Sequence, residues 1–451
     1  MANKINHSSD YIEEQRKSFS LYVMQSRAIP AITDGLKAGA RRVLWTARDG
    51  KKNKSASLAG ATMPIHPHAS PESAIDTITA PFCNNIPLFK GDGAFGTLLE
   101  PTEYGASRYT SVTVSKFTQD VIFKDLEIIP LTDNYDGTLE DPVHFLPLIP
   151  TVLLNPAEGI AVGFATNILP RCLKDIISVQ IAHLKGEKYS NALIPTFYPT
   201  DNKSNRQEQT ERGIAYYFKG TCTKKDKNIA NISKLPYGLL HSKLIKKLDE
   251  LSESGTIVEF TDKSRDTINI DVKFKPSVFK DIDEDSLIKM FGLEVRHFEN
   301  LNVLDFSGQY ILSVTAEQII KQFTDWRLEW YVKRYERLRD LLAIDIQRYL
   351  DVQTAIKNNV GGLAKSISSR ADLKLKLTDF GIVYIDYIAD LPVYRFTEEE
   401  RIKNEKKIQD ANKLMDEYTQ LLTSDKKRAK VYINELEHIL DNYNKGVYNG
   451  K

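Results

Sequence analysis

Cysteine is scarce in this sequence of 451 residues, and long apolar runs are absent. The three cysteines, Cys83, Cys172 and Cys222, lie far apart and form no CxxC pair. This spacing excludes a disulfide framework and a thiolate zinc site, and it favours a reducing, cytoplasmic compartment. No stretch approaches about 18 consecutive apolar residues, and the first residues contain no signal-peptide core. We therefore expect a soluble intracellular protein without membrane association.

A strong excess of one charge sign is also lacking. Lys and Arg number 61 against 60 Asp and Glu, which gives a net charge of +1 and excludes a uniformly basic nucleic-acid coat protein. Local charge is more informative, because residues 1–55 contain eleven Lys and Arg against five Asp and Glu, a net of +6. This segment is a candidate phosphate-facing surface, although a solvated charged face would have the same composition.

The length predicts two to four domains, and three regions differ in their patterns. Residues 1–170 combine short helical patterns with many Gly and Pro, which is typical of functional loops held by small helices. Residues 171–314 indicate mixed α and β structure. Apolar residues alternate with polar ones over 268–274, which predicts a half-buried strand, and 256–261 is its predicted partner.

Residues 315–451 have a long-helical pattern. Apolar and aromatic side chains recur at spacings of three and four over 331–356 and again over 408–439, with polar interruptions at Asp345 and Asp425. Two such stretches, separated by about 50 residues, suit an antiparallel coiled coil with a small globular tip between its helices. Two amphipathic helices of an ordinary bundle are the alternative.

Two motifs match known binding-site patterns, but the residues around them argue against a binding site at either position. Residues 91–96 read GDGAFG and match GxGxxG, but 84–90 is a poor buried strand and 100–102 does not continue as a helix. A dinucleotide site needs both elements, so we do not expect one here. The acidic run 281–285 has the spacing of a carboxylate metal site but leads into a helical pattern. It is better interpreted as acidic residues at a positive helix N-terminus, and we predict no metal site.

Tyr109, preceded by Arg108, is the candidate nucleophile. A tyrosine phenol is almost entirely protonated at neutral pH, and most of the 21 tyrosines must serve packing. An adjacent guanidinium changes this expectation, because it can hold a phosphate and stabilise charge that develops on its oxygens. Attack of tyrosine on a DNA phosphate gives an ester close in energy to the bond that it replaces, so strand cutting becomes reversible.

Two further segments could serve a phosphate-handling site. His66 and His68 have no Cys, Asp or Glu at ligand spacing beside them, so they either cap a loop or act as proton shuttles and phosphate donors near Tyr109. Residues 26–37 contain a turn at Pro30 and Gly35, and cationic residues follow within the next predicted helix. A basic helix after a turn suits contact with the DNA backbone.

Together these segments resemble the A subunit of DNA gyrase and its topoisomerase IV counterpart. The matching strings occur in the same order as in that family: SRAIPAITDGLKAGARRVLW, IHPH, GDGAFG, SRYT, DNYDGT, GIAVGFATNILP and LPYGLLHSKLIKKLDEL. They run from about residue 20 to about residue 250, and the coiled-coil pattern extends the match to the end of the sequence. Seven motifs in order are highly specific. The short length is similar to that of the corresponding subunit of T4-type phage topoisomerases.

The resemblance implies a role for each candidate residue. Tyr109 would form a transient 5′-phosphotyrosyl link to DNA, with Arg108 as the charge stabiliser. The residues that would contact DNA near the scissile phosphate or along the backbone are Arg27, Lys37, Arg41, Arg42, His66 and His68. Ile160 resembles an apolar wedge that inserts between base steps and bends the cleaved duplex. Without the resemblance, a core position would be the better interpretation of Ile160.

The fold implied is a multidomain α+β protein. It comprises a winged-helix cleavage domain over 1–170, a tower α/β domain over 171–314, and a coiled-coil arm over 315–451 that ends in a dimer gate. Two copies are needed to cut both DNA strands, so a homodimer with a two-fold axis is expected. In the family the ATPase and the Toprim metal site lie on a separate subunit, so we expect Mg²⁺ and ATP to be supplied there.

Two departures from the family pattern limit what the resemblance implies. The family has Gly-Asp-Ser after the second histidine, whereas residues 69–73 read ASPES, so the drug-binding loop of relatives is altered. The sequence also contains no counterpart of the C-terminal DNA-wrapping domain of gyrase and no basic glycine run of the gyrase-box type. We therefore expect relaxation and decatenation of DNA, but no introduction of negative supercoils.

Overall fold

A computed structural model describes residues 8–67, 71–161, 163–189, 193–211, 213–363 and 366–448. The described residues form two compact units. The first contains those up to Trp326 together with those from Ile433 on, and the second is Arg327–Tyr432. This division differs from the three predicted domains, whose boundaries remain predictions. Among the helices of the described ranges, none is both long and apolar enough to cross a bilayer.

The N-terminal part of the first unit combines short helices with small antiparallel sheets. Its regular elements are α1 (Ser8–Val23), α2 (Ala38–Thr46), β1 (Asn53–Lys54), α3 (Ser55–Thr62), α4 (Pro71–Thr79), β2 (Phe89–Asp92), β3 (Ser111–Val114), β4 (Leu131–Asp133), β5 (Glu140–Pro142), β6 (Ala157–Ala161) and β7 (Phe164–Ile168). A π-helical turn, Met24–Ala28, follows α1 directly. A second π-helical turn, Thr118–Ile122, and two 3-10 turns, Leu126–Ile128 and Thr151–Leu153, complete this part.

Helices α2, α3 and α4 pack on one another around fully buried apolar side chains such as Val43, Leu44, Leu58 and Ile75. Beside them lies a three-stranded sheet in the order β1-β3-β2, with both pairings antiparallel. Strands β4 and β5 form one separate hairpin, and β6 and β7 form another. The short helices and sheet thus hold the loops that connect them in fixed positions.

The next part of the first unit is built mainly of antiparallel sheet. Its elements are α5 (Leu173–Lys185), β8 (Thr196–Phe197), β9 (Asn202–Lys203), β10 (Arg206–Thr210), β11 (Gly213–Lys219), β12 (Thr221–Asp226), β13 (Ile229–Lys234), α6 (His241–Glu253), β14 (Glu259–Asp262), β15 (Ile270–Lys273), α7 (Pro276–Phe279), α8 (Glu284–Phe291), β16 (Glu294–Glu299), β17 (Asn302–Leu304) and β18 (Ile311–Ser313). The larger sheets have the orders β10-β11-β16 and β12-β13-β15-β14.

The alternating pattern of this part is explained by its burial. Ile270 and Val272 of β15 are fully buried and face a cluster that α6 and α8 cover, while Asp271 between them points the other way. Strand β14 pairs antiparallel with β15, with Phe260 opposite Val272, as the alternation predicts. The acidic run also behaves as expected, because the Asp283 carboxylate caps α8 by accepting the Ser286 N–H at 2.8 Å.

Long helices dominate the second unit. Its elements are α9 (Ala316–Lys357), which begins in the first unit, α10 (Val360–Leu363), α11 (Arg370–Asp379), α12 (Ile385–Ala389), α13 (Glu398–Thr423) and α14 (Asp425–Asn444), which ends in the first unit. Tyr335 of α9 contacts Tyr418 of α13 with ring centroids 5.6 Å apart, and further along α9 the Tyr349 carbonyl accepts from Asn404 Nδ2 at 2.6 Å. The partner numbers fall as the α9 numbers rise, so the two helices run antiparallel.

The end of α9 and the short helices that connect it to α13 form a small apolar cluster. Val352 and Ala355 of α9 pack with Val360, Leu377 and Ile388 from the short helices. The Asp351 carboxylate is buried and accepts the backbone N–H groups of residues 383 and 384 at 3.1 and 2.6 Å. Its charge is thereby compensated by hydrogen bonds that fix the turn before α12.

Candidate active site

Tyr109 is held by its backbone while its ring points into solvent. Its N–H donates to the Ala106 carbonyl at 2.8 Å, and the following Thr110 is buried. The Thr110 carbonyl accepts the Ser55 N–H at 3.1 Å, and the Thr110 hydroxyl donates to Ser55 Oγ at 2.7 Å. The Tyr109 side chain is nevertheless 70% exposed. The Tyr109 ring is therefore accessible to a ligand from the solvent side.

Arg108 lies directly against this ring. Its guanidinium carbon is 4.8 Å from the ring centroid of Tyr109, within range of a cation–π contact, and the side chain is exposed. The Tyr109 phenol and the Arg108 guanidinium are therefore exposed side by side on one surface. A phosphate that meets the tyrosine oxygen would also meet the cationic group that stabilises charge on phosphate oxygens.

Arg41, which is predicted to contact the DNA backbone, is paired within the protein. Its Nε and Nη2 donate to the two carboxylate oxygens of Asp34 at 2.6 and 2.9 Å, and both residues are buried. Asp34 also accepts the N–H groups of Leu36 and Phe145 at 3.1 and 3.0 Å. Although burial disfavours the charge, the carboxylate of Asp34 raises the pKa of Arg41. Arg41 thus fixes the turn before α2, and its predicted contact with DNA would require this pair to open.

Arg42 is also engaged within the protein. It donates to the Asp141 carboxylate, with Nε to Oδ2 at 2.9 Å and Nη2 to Oδ2 at 2.8 Å. The two side chains are 14% and 13% exposed. The pair ties α2 to β5, and the predicted backbone grip of Arg42 would require this pair to open.

Arg27 is exposed to solvent, whereas Lys37 is partly buried. Arg27 is exposed in the π-helical turn, with its guanidinium carbon 5.7 Å from the ring centroid of Tyr22. Lys37 is partly buried, and its Nζ donates to the Glu158 carbonyl at 2.6 Å. Burial lowers the pKa of Lys37 while the Glu158 carboxylate opposes the shift. Lys37 thereby connects the basic turn to the β6–β7 hairpin.

His66 belongs to a cluster of rings. Its Nε2 lies 3.3 Å from the Tyr22 hydroxyl, its ring stacks on Tyr22 with centroids 6.2 Å apart, and Tyr135 approaches it edge-on at 6.3 Å. The second predicted histidine, His68, and the altered positions Ala69 and Ser70 lie outside the described residues.

Ile160 stands near the tip of the β6–β7 hairpin and is 86% exposed. The alternative that it is a core residue is therefore wrong. Gly159 beside it packs so closely on the π-helical turn that a Cβ there would lie 1.9 Å from the Ala28 carbonyl oxygen. Only glycine permits this approach, and it sets the hairpin against the segment that carries Arg27.

Most of the predicted site residues described above line one of two cavities. One, of about 860 Å³, is lined by Arg27, Lys37, Arg42 and His66 among others. The other, of about 380 Å³, is lined by Tyr109 with lysines of residues 52–54. Among the described residues, no group of three or more His, Cys, Asp or Glu side chains is placed to hold a metal ion. Residues 93–110, which follow β2, contain no helix, so GDGAFG lacks the strand–helix context of a dinucleotide site.

Comparison with known proteins decides the family. The family model that describes the A subunit of DNA gyrase/topoisomerase IV matches residues 27–437. The chain belongs to this family. Its members are subunits of type II DNA topoisomerases, a class of isomerases, and this chain is such a subunit.

Individual relatives show how much of the family's length is present. The DNA topoisomerase medium subunit of Enterobacteria phage T4 is 27% identical over 411 residues, which cover 87% of this chain and 90% of that protein. The DNA gyrase A subunit of Haemophilus influenzae is 31% identical over 80% of this chain but only 46% of its own length. The chain thus spans most of the phage protein and about half of the bacterial one.

A solved structure has the same fold. The DNA-binding, cleavage and re-ligation domain of Plasmodium falciparum topoisomerase II aligns with a TM-score of 0.79 at 22% identity, over 96% of this chain and 65% of that one. The likeness confirms the predicted mixed α and β architecture as a whole.

Two features of the site were not predicted from the sequence. One is Asp34, a buried acceptor of four hydrogen bonds in a segment whose pattern indicated only a basic turn. The sequence signal for a turn is the Asp34-Gly35 pair, and the structure gives Gly35 a φ of +67°. The other feature is the ion pair of Lys52 and Asp92 near Tyr109, which joins residues 40 positions apart and has no local sequence signal.

Proposed function

We propose that the chain is the DNA-cleaving and DNA-rejoining subunit of an ATP-dependent type II topoisomerase. The observation that carries this proposal is Tyr109, whose exposed ring lies against the Arg108 guanidinium on a loop with a fixed backbone. In this proposal the Tyr109 oxygen bonds to a DNA phosphorus, the bond from phosphorus to the 3′ oxygen breaks, and the phenol proton is passed on so that a 3′ hydroxyl is released. Reversal of the same step rejoins the strand.

Arg108 acts on the phosphate that Tyr109 attacks. Negative charge on the non-bridging oxygens rises in the transition state, and a guanidinium beside them stabilises that charge more than it stabilises the ground state. Because Arg108 is exposed and already against the ring, little movement is needed to reach the phosphate.

The duplex is bound around the larger cavity. Arg27 and Lys37 supply positive charge, His66 supplies a ring nitrogen, and Ile160 inserts between base steps and bends the DNA. His68 is assigned to the same surface from the family motif. Passage of a second duplex through the break then gives relaxation and decatenation without supercoiling.

The domain assignment and the partners complete the proposal. Residues 1–170 form the winged-helix cleavage domain, 171–314 the tower, and 315–451 the coiled-coil arm, through whose tip two copies form the homodimer. Mg²⁺ and ATP bind to a separate ATPase/Toprim subunit, where a metal ion would stabilise charge on the reacting phosphate. This chain supplies the tyrosine, the guanidinium and the DNA-binding surface.

The test is covalent capture of DNA. The chain is assembled with its ATPase/Toprim partner, plasmid DNA and Mg²⁺, the reaction is stopped with detergent, and protein joined to DNA 5′ ends is quantified. Wild-type protein should give an adduct that maps to Tyr109, and Tyr109→Phe should give less than about one hundredth of it, because the substitution removes the oxygen that attacks the phosphorus. Tyr310→Phe is the matched control, since Tyr310 is 67% exposed and lies outside both cavities.

Two results would contradict the proposal. An adduct of equal yield from Tyr109→Phe would show that another residue is the nucleophile. If a competent partner is present and neither protein forms an adduct, although both bind and bend DNA, the chain is an architectural DNA-bending protein.

A further inference from the structure

The smaller cavity, of about 380 Å³, opens directly beside the proposed nucleophile. Besides Tyr109 it is lined by Lys52, Asn53, Lys54, Asp92, Gly93 and Ser111. The cavity contains two lysines and one carboxylate, so it has a net positive charge. None of these cations is among the residues to which the family resemblance assigns a role.

The three-stranded sheet places these residues at the tyrosine. In the pairing register, Lys54 of β1 and Asp92 of β2 both lie opposite Ser111, the first residue of β3. Ser111 follows Tyr109 by two positions. The positions of both charged residues relative to Tyr109 are therefore set by backbone hydrogen bonds within the sheet and not by mobile side chains alone.

The two lysine ammonium groups of this cavity have different partners. Lys54 Nζ donates to the Tyr109 carbonyl at 3.4 Å, and the Lys54 side chain is exposed. Lys52 Nζ forms an ion pair with the Asp92 carboxylate, and the Lys52 and Asp92 side chains are 59% and 68% exposed. An exposed pair of this kind is weak and can exchange partners at little cost. A second anion could therefore take Lys52 from Asp92.

We propose that Lys52 and Lys54 form a subsite for the DNA phosphate that adjoins the scissile one, with Asp92 holding the Lys52 ammonium until DNA arrives. This inference rests on the proposed function of Tyr109. Each DNA strand carries one charge per about 3.4 Å of rise, so a strand with one phosphate at the Tyr109 oxygen brings its neighbouring phosphate to the same region. Binding that neighbour fixes the position of the scissile phosphate in front of the phenol.

The first measurement is the salt dependence of DNA binding. Tyr109→Phe protein, assembled with its partner so that no cleavage occurs, is compared with the same protein carrying Lys54→Gln or Lys51→Gln. Lys51 is the matched control because it has the same charge, is 80% exposed and lies outside the cavity. Loss of one phosphate contact should reduce the slope of log binding constant against log salt by about 0.9 for Lys54→Gln and leave it unchanged for Lys51→Gln. Equal slopes for the two variants would overturn the inference.

The second measurement is the yield of covalent adduct at saturating DNA, with Tyr109 intact. We expect Lys54→Gln to reduce the yield at least tenfold, Lys54→Arg to restore most of it, and Lys51→Gln to match the wild type. Asp92→Asn should strengthen non-covalent binding, because it frees Lys52 for phosphate. An unchanged yield in Lys54→Gln, with a normal adduct in the wild type, overturns the subsite alone. Absence of any wild-type adduct instead overturns the proposed function.

Discussion

At the scale of single residues, the charged side chains of the basic N-terminal segment have two roles: some form buried ion pairs, and others stay exposed to solvent. Asp34 and Arg41 form a buried ion pair that fixes a turn, whereas Arg27 keeps its guanidinium exposed. A buried pair of this kind matters for folding because loss of either partner leaves the other charge without compensation. This turn positions Lys37 at the start of α2, so a structural ion pair supports the proposed DNA-binding surface.

Asp34→Asn should therefore destabilise the protein. The substitution leaves the Arg41 guanidinium buried without its carboxylate, and breaking such pairs costs about 3–5 kcal/mol of unfolding free energy. The measurement is chemical denaturation, monitored with a probe located in the first unit. Asp49→Asn is the control, because the Asp49–Lys51 pair is exposed and should contribute nothing measurable. Equal stability of the two variants would show that the pair is dispensable.

Contacts between residues close in the sequence could be predicted, whereas contacts between distant residues could not. The exposed Tyr109 with Arg108 beside it is a local feature, and the motif predicted the adjacency. The partner of Arg42 is Asp141, 99 positions away, and that contact depends on a tertiary arrangement that a basic helical pattern does not reveal. Charge along a helix could thus be predicted, but not which charges the fold would bury.

At the scale of elements, periodicity was a reliable guide. The period of two over 268–274 predicted β15 and its pairing with β14, because one face of that strand packs on a core. The long helices were predicted for the same reason, but the break between α13, which ends at Thr423, and α14, which begins at Asp425, was not: the pattern indicated only a polar interruption there. The three-stranded sheet beside Tyr109 was not predicted, since β1 has only two residues and no periodicity.

The β6–β7 hairpin gives a prediction at this scale. Its position is set by the close approach of Gly159 to the π-helical turn and by the bond from Lys37 to the Glu158 carbonyl, and Ile160 projects from it. Ile160→Ala should leave DNA affinity within about threefold but reduce DNA bending, because a methyl group is too short to separate base steps. Bending is measured by energy transfer between dyes at the two ends of a duplex.

Ile160→Leu is the control for the hairpin, because it preserves apolar volume on the same backbone. It should bend DNA as the wild type does. Normal bending by Ile160→Ala would show that the exposed isoleucine is not a wedge. Normal bending by Ile160→Ala together with lost affinity would place Ile160 among the ordinary DNA contacts.

At the scale of the whole molecule, one chain carries one proposed nucleophile, while a duplex has two strands to cut. A two-fold dimer supplies the second tyrosine. Four large apolar side chains near the cluster between α9 and α13 are 61–65% exposed: Leu375, Val383, Val393 and Tyr394. Exposed apolar side chains grouped in one small region are typical of protein–protein contacts, and they agree with the proposed dimerisation through the tip of the arm.

The last prediction tests this dimer. Leu375→Glu combined with Val383→Glu places charge on the proposed contact, and charges that lose water without a partner disfavour association. We expect the double variant to dissociate to monomers at micromolar concentration, with a dimer dissociation constant raised at least a hundredfold, as sedimentation equilibrium without DNA would measure. Val278→Glu is the control, because Val278 is 48% exposed and lies in α7 of the first unit. An unchanged dimer in the double variant would show that the two copies associate through another surface, and the coiled-coil arm would then need a different role.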